Sequence, residues 1–117
     1  MHYRDTVVWS KAMEMACEIY RLAKLLPDEE GYGLRSQITR AAVSVPSNIA
    51  ERWTRESKKE KSQFLSIAHG SLAELETQLT LCERVGWFGA SQTSYARQRV
   101  EEVSRILTTM RRNQRTR

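Results

Sequence analysis

A stripe of polar side chains on one predicted helix is the group of residues best placed to do chemistry. At helical spacing, one face of this helix carries five polar residues: Arg40, Ser44, Asn48, Glu51 and Arg55. A carboxylate between two guanidinium groups, with a hydroxyl and an amide nearby, can satisfy its own charges in a partly buried contact. The stripe therefore predicts a structural polar network between helices or subunits in preference to a catalytic site.

A second polar stripe lies on the next predicted helix and is a plausible partner for the first. Ser71, Glu74 and Gln78 follow one another at spacings of three and four residues, so they share a helical face. We predict that Ser71 and Glu74 join the network, whereas simple solvent exposure is the better interpretation of Gln78. Gly70 costs this helix about 1 kcal/mol relative to alanine, so we expect another backbone to approach it closely.

Paired carboxylates are the basis of an enzymatic alternative. Glu51 and Glu74 could face each other between the two helices. Arg40, Asn48 and Arg55 would then fix a small anionic ligand. However, the sequence has no nucleophile beside a base, no glycine-rich phosphate loop and no cluster of metal ligands. Arginine neighbours should also strengthen the acidity of Glu51, which suits an ion pair better than a general acid. We therefore expect no enzymatic activity, no cofactor and no bound metal.

Excess positive charge is confined to the last part of the chain. Up to Gly89 there are 12 basic and 12 acidic residues, whereas from Ala90 onward seven arginines stand against Glu101 and Glu102. Arginine pairs well with phosphate, so we predict nonspecific RNA or DNA binding through seven residues: Arg97, Arg99, Arg105, Arg111, Arg112, Arg115 and Arg117. A helix end that complements the helix dipole, followed by a solvated tail, would explain the same pattern.

Four apolar segments with helical spacing must position these side chains. Pro27 ends the first segment, and Pro46 lies inside the second, where we expect a kink. Ser57 and Glu60 form a capping box that should start the third segment. Because the links are short, neighbouring helices should be antiparallel. We predict an all-α protein, an antiparallel up-down-up-down four-helix bundle.

Length and composition suit a single domain outside the membrane. The chain has 117 residues, 40% of them hydrophobic, and we predict one domain over residues 1–110 followed by a basic tail, 111–117. It has neither an apolar run long enough to span a membrane nor a signal peptide, so we expect a cytoplasmic protein. Cys17 and Cys82 stand far apart, which predicts two small residues in or near the core without a disulfide.

Three sequence motifs resemble a known family. They are VVWSKAMEMACEIYRL in the first helix, LRSQITRAAVSVPSNIAE followed by Arg55 in the second, and QFLSIAHGSLAELETQL in the third. Together they resemble the ribosomal RNA intervening-sequence protein family, from about Val7 to Met110. The chain departs from the family pattern at Arg52 and Thr54, where glycines are common.

The resemblance implies an up-down four-helix bundle that assembles as a homopentameric ring. The architecture is also similar to that of the accessory proteins of diversity-generating retroelements, which are pentamers that bind nucleic acid and a reverse transcriptase. We therefore expect a non-enzymatic oligomer that binds RNA or DNA nonspecifically. The alternative is a pentameric scaffold that presents a platform to a partner protein without binding nucleic acid.

Overall fold

The computed structural model consists almost entirely of helices. It describes residues 2–115, and of Arg115 it describes the backbone alone. Two short 3-10 turns, Tyr3–Asp5 and Asp28–Glu30, accompany four helices: α1 (Val7–Ala23), α2 (Leu34–Thr54), α3 (Lys58–Val85) and α4 (Ala90–Arg115). No strand occurs between residues 2 and 115. The prediction of an all-α four-helix fold is confirmed.

The helix ends are set by local hydrogen bonds. The Ser57 hydroxyl accepts a hydrogen bond from the Glu60 amide at 3.1 Å, so α3 begins where the capping motif predicts. The same helix ends at Gly86, whose φ of 94° is left-handed and favours glycine. Arg35 of α2 caps the end of α1, because its Nε donates to the Ala23 carbonyl at 3.0 Å. These bonds define the links between consecutive helices.

The core is built from aliphatic side chains of all four helices, including Ile19, Ile38, Leu72 and Leu107, none of which is exposed. Helix α1 packs against α2 and α4, and α3 packs against the same two helices. Two contacts join α1 to α4, Lys11 with Glu102 and Glu14 with Arg99. The residue that comes later in α1 thus contacts the residue that comes earlier in α4.

The same reversed order holds between α3 and α4. The early Lys58 contacts the late Gln114, and the late Glu83 contacts the early Arg97. Reversed order is what antiparallel neighbours would produce. The complete up-down-up-down order and the kink at Pro46 stay predictions, although the α-helix continues through Pro46.

The sequence expectations for Gly70 and Cys17 are wrong. A Cβ atom built on Gly70 would meet no atom within 4 Å, so no backbone of the described chain approaches it closely. Cys82 is buried as expected, but Cys17 is exposed, since it lines an open groove between α1 and α2; both are free thiols. Helix α4 continues to Arg115, so the basic segment from residue 111 begins as helix, and the division of the chain at residue 110 stays a prediction.

Candidate nucleic-acid interface

The centre of the predicted polar network is a hydrogen-bonded group between α2 and α3. The hydroxyl oxygens of Ser44 and Ser71 lie 2.7 Å apart. Asn48, one turn along α2, donates through Nδ2 to the Ser44 carbonyl at 2.7 Å and to the Ser44 hydroxyl at 3.0 Å. Ser71 is buried and the other two side chains are half-buried. This part of the network therefore connects two helices of one subunit.

Glu51 and Arg55 form a second, separate group at the end of α2. Arg55 Nη2 donates to Glu51 Oε2 at 2.9 Å, and Arg55 Nη1 lies 3.7 Å from Glu60 Oε2. The Arg55 guanidinium also stacks over Phe64, 4.7 Å from its ring centroid. Glu51 is about half exposed, with 49% of its side chain accessible. The ion pair is therefore a surface contact.

Arg40 and Glu74, the remaining predicted members, join neither group. Both are exposed, and neither forms a hydrogen bond or ion pair with any described side chain. They line a shallow depression of about 240 Å³ together with Ser44 and Ser71, and Gln78 lines it as a half-buried residue. Within one subunit, the predicted network is thus divided into two separate hydrogen-bonded groups, and the charges of Arg40 and Glu74 belong to neither group. Glu51 and Glu74, the carboxylates of the enzymatic alternative, fall into different surroundings.

Arg97 is held by an ion pair with Glu83 that joins α4 to α3. Its Nη2 also donates to the Thr80 hydroxyl at 2.8 Å. The buried Thr93 donates to Glu83 Oε2 at 2.5 Å. Hydrogen bonds from Arg97 and then Thr93 lower the pKa of Glu83, so this carboxylate stays charged.

Arg99 is similarly engaged, between α4 and α1. Its Nε lies 2.8 Å from Glu14 Oε2, and its Nη1 donates to Glu102 Oε1 at 2.7 Å. Lys11 also pairs with Glu102 and is the main reason why the pKa of that carboxyl group is lowered. The charges of Arg97 and Arg99 are therefore compensated within the subunit. Glu83 and Glu14 lie on other helices, so the sequence did not reveal these two pairs, whereas Glu102 lies three residues after Arg99 on α4.

Within the described residues, the other arginines predicted to bind nucleic acid form fewer or longer ion pairs than Arg97 and Arg99. Arg105 is exposed, with Glu101 at 4.0 Å, and Arg112 is exposed without an ion pair to any described residue. Arg111 is half-buried, and its Nη1 lies 3.1 Å from His69 Nδ1. Burial, and then the charge of Arg111, lower the pKa of His69, which favours the neutral ring. The Arg115 side chain and Arg117 lie outside the described residues.

Three further cations, which the sequence analysis did not single out, gather near the last turns of α4. Arg52 from the end of α2 and Lys58 and Lys61 from the start of α3 line a pocket of about 300 Å³. Met110, Asn113 and Gln114 of α4 complete its wall, and no carboxylate is among the lining residues. We call Arg52, Lys58, Lys61, Arg111 and Arg112 the basic end. Up to Gly89 the numbers of basic and acidic residues are equal, so the overall charge did not reveal this cluster. The segment RWTRESKKEK is nevertheless rich in basic residues.

Arg52 has the least usual environment at the basic end. It is half-buried, and burial lowers its pKa from the ordinary arginine value without making the group neutral. Its Nε is buried and has no hydrogen-bond acceptor among residues 2–115. A buried donor without an acceptor is energetically costly, and an anion in this pocket would stabilise the partly exposed guanidinium charge.

Metal sites and membrane spans are not found in the described structure. Between residues 2 and 115, no group of three or more His, Cys, Asp or Glu side chains is arranged to hold a metal ion. None of the helices in the same range combines the length and apolar character that crossing a membrane requires.

The helices and their connections define a four-helix bundle protein with a basic end. A family model described as 23S rRNA-intervening sequence protein matches residues 4–109, and the chain belongs to this family. The resemblance stated from the sequence motifs is confirmed.

A solved structure from Bacteroides thetaiotaomicron VPI-5482 has the same fold. It is described as a protein with unknown function from the S23 ribosomal protein family. Its sequence is 26% identical, the TM-score is 0.83, and the match covers 90% of this chain and 98% of that one. No curated protein matches the chain.

Proposed function

We propose that this protein is a non-enzymatic, oligomeric four-helix bundle that binds RNA or DNA nonspecifically in the cytoplasm. The observation that carries the proposal is the pocket lined by Arg52, Lys58 and Lys61 without a carboxylate. Its α4 wall includes Met110 and Asn113, which flank Arg111 and Arg112 in sequence. Such a surface attracts the phosphate backbone, whose contacts carry no direct sequence information. Binding should therefore tolerate many sequences.

The binding surface differs from the one inferred from the sequence. Arg105, Arg111 and Arg112 remain in it, and we retain Arg115 and Arg117 as predicted contributors. Arg97 and Arg99 are left out because carboxylates of the same subunit already neutralise them. Arg52, Lys58 and Lys61 take their place. The absence of a catalytic role remains part of the proposal: the ion pair of Glu51 with Arg55 favours a structural role for this carboxylate.

Assembly as a homopentamer, which the family resemblance implies, is also part of the proposal. An apolar groove of about 650 Å³ between α1 and α2 supports assembly, because Met13, Tyr20 and Val43 in its lining are partly exposed. A ring would repeat the basic end five times, which would strengthen weak phosphate contacts through multivalency. Sedimentation equilibrium should detect the oligomer, whereas a species of 13.6 kDa at micromolar concentration would contradict it.

A pentameric scaffold for a partner protein is the second candidate. The same apolar groove favours it, since an exposed apolar surface of this kind can receive a partner's side chains as well as a second subunit. The scaffold needs no affinity for nucleic acid. The two candidates therefore differ in what happens when RNA is added at low salt.

Salt dependence of RNA binding tests the proposed function. We expect fluorescence anisotropy to show roughly micromolar or weaker binding of a single-stranded RNA at physiological salt, with affinity falling steeply as salt rises. Glutamine at four positions, Arg111, Arg112, Arg115 and Arg117, should flatten the slope of log affinity against log salt by about 0.7 for each phosphate that the variant no longer neutralises.

The matched control for this test replaces Arg40 and Arg84, two exposed arginines outside the basic end, with glutamine. It should leave the slope close to that of the unmodified protein. Salt-independent binding, or binding that survives the fourfold change intact, would contradict a role for the end of α4. No RNA binding at low salt would favour the scaffold.

A further inference from the structure

We propose that the pocket between the end of α2, the start of α3 and the last turns of α4 is a binding site for one phosphate group of a nucleic-acid strand. The inference rests on the proposed function and deepens it, because it assigns the principal phosphate contact to Arg52. In the sequence analysis, by contrast, all the phosphate contacts lay on α4 and the tail.

The charge of the pocket walls is the first argument. Arg52, Lys58 and Lys61 come from two helices that meet here, and no acidic side chain lines the pocket. None of the three forms an ion pair with a described carboxylate, although Arg55, in the same region, pairs with both Glu51 and Glu60. Their positive charges are therefore not cancelled locally, and the pocket selects for an anion.

The hydrogen-bonding capacity of Arg52 is the second argument. Its buried Nε has no acceptor in the described part of the chain, and a guanidinium offers several donors in a fixed plane. Phosphate oxygens match this geometry by accepting two parallel hydrogen bonds. Lys58 and Lys61 would add mobile point charges around the same group. A single phosphate bound by the guanidinium thus accounts for the excess of cations in the pocket.

The α4 wall of the pocket is attached to the start of α3. Gln114 Nε2 donates to the Lys58 carbonyl at 3.3 Å, which attaches the end of α4 to the start of α3. The amide oxygen of the same side chain, Oε1, is buried without a donor among the described residues. Being buried, this oxygen is not open to a bound ligand, so the role of Gln114 is to hold the α4 wall against α3. The pocket thus offers cations to a phosphate, beside a wall that Gln114 attaches to α3.

Size and position favour a phosphate within a strand. A volume of about 300 Å³ is at the lower limit of pockets that enclose whole ligands, so only part of a larger molecule need enter. Arg111 and Arg112 lie in sequence between the lining residues Met110 and Asn113, where they can contact neighbouring phosphates of the strand. A free phosphate would contact the pocket alone. Binding of a strand should therefore depend on Arg111 and Arg112, whereas binding of a free phosphate should not.

The test compares Arg52→Gln with Arg84→Gln in the full-length protein. Both variants remove one unpaired arginine charge, but only Arg52 lines the pocket. With a fluorescein-labelled 12-mer of uridine, we expect Arg52→Gln to weaken binding about tenfold, the effect of removing one charge-assisted hydrogen bond. The salt slope should fall by about 0.7. Arg84→Gln should change neither quantity appreciably.

A second arm uses pyrophosphate in isothermal titration calorimetry to distinguish the sources of phosphate. Loss of RNA affinity on Arg52→Gln, with or without pyrophosphate binding, supports a site for a strand. Pyrophosphate binding that needs Arg52, in a protein that binds no RNA, would instead show a free-phosphate site. That result would contradict the proposal that the bound phosphate belongs to a nucleic-acid strand, and it would also contradict the proposed function.

If Arg52→Gln and Arg84→Gln bind RNA with the same affinity and pyrophosphate with the same affinity, the pocket is not a phosphate-binding site. The proposed function would then still stand if the unmodified protein binds RNA with a steep salt slope. Binding of neither probe by the unmodified protein would overturn both. If circular dichroism shows that Arg52→Gln is unfolded, Lys58→Gln with Lys61→Gln replaces it. Arg40→Gln with Arg84→Gln is then the control of equal charge.

Discussion

The hydroxyl oxygens of Ser44 in α2 and Ser71 in α3 lie 2.7 Å apart, and this contact joins two helices through their facing polar stripes. Ser44 also receives a hydrogen bond from Asn48, so three polar side chains form a chain at the edge of the apolar core. A buried hydroxyl that keeps its partner contributes modestly to stability, but one without a partner is costly. The pair therefore specifies how α2 and α3 face each other.

We expect Ser44→Ala and Ser71→Ala to be coupled. Each single change should cost about 1 kcal/mol, because it leaves the other hydroxyl without its partner, and the double variant should cost less than the sum. Urea denaturation of the three variants measures the coupling free energy. Ser66→Ala, at an exposed position of α3, is the control and should be nearly neutral. Strict additivity of the two changes would contradict the observed contact.

Truncation of Glu51 tests whether the end of the first stripe is a surface ion pair. Because Glu51 is 49% exposed and pairs with Arg55 on the same helix, Glu51→Ala should reduce the free energy of unfolding by less than about 1 kcal/mol. A fully buried pair would instead lose about 3–5 kcal/mol. Denaturation at low protein concentration provides the measurement. A loss in the larger range would mean that a neighbouring subunit covers the stripe.

The Glu83 ion pair should make stability depend on pH. Hydrogen bonds from Arg97 and Thr93 lower the pKa of Glu83 in the folded protein. Its stabilising contribution is therefore complete above the unfolded pKa of about 4.3 and is lost as pH falls through the folded pKa. Glu83→Gln should destabilise the protein by about 1 kcal/mol at pH 7, and the difference should shrink towards pH 3.

Thermal or urea denaturation of Glu83→Gln at both pH values checks this expectation. Glu101→Gln removes an exposed carboxylate whose arginine neighbour is 4.0 Å away, so it is a suitable control and should have little effect at either pH. A difference between Glu83→Gln and the unmodified protein that grows as the pH falls would contradict the role given to Arg97 and Thr93.

Replacing Gly70 with alanine should stabilise the protein. Gly70 lies inside α3, and an added Cβ would meet no atom within 4 Å. The gain should be about 1 kcal/mol, since alanine restricts the unfolded chain and has the higher helix propensity. Gly86→Ala is the opposite control, because the left-handed φ of 94° makes alanine unfavourable there. A loss of stability at Gly70 would indicate a contact made only in the oligomer.

The two thiols should differ in reactivity. Burial raises the pKa of Cys82 to about 11, so its reactive thiolate is scarce at pH 8. In a Cys17→Ser variant, a chromogenic disulfide reagent should modify Cys82 only after denaturant is added. The Cys82→Ser variant, which retains the exposed Cys17, is the comparison. Rapid modification of Cys82 in the native Cys17→Ser variant would contradict its burial.

Local patterns in the sequence were sufficient to predict the helices. The apolar residues that recur every three or four positions are the ones that line the core, and Ser57 with Glu60 marked the start of α3 correctly. The motifs around NIAE and HGSL were specific enough to reveal the family. Periodicity and capping act over a few residues, so a single chain segment contains the information they need.

The candidate site depended on contacts between distant parts of the chain. Arg97 and Arg99 looked like free charges in sequence, but the packing of α4 against α3 and α1 brings Glu83 to Arg97 and Glu14 to Arg99. Packing also gathers Arg52, Lys58 and Lys61 beside the last turns of α4, in a region whose overall charge is balanced. Electrostatic interactions depend on distance in space, which only the tertiary structure determines.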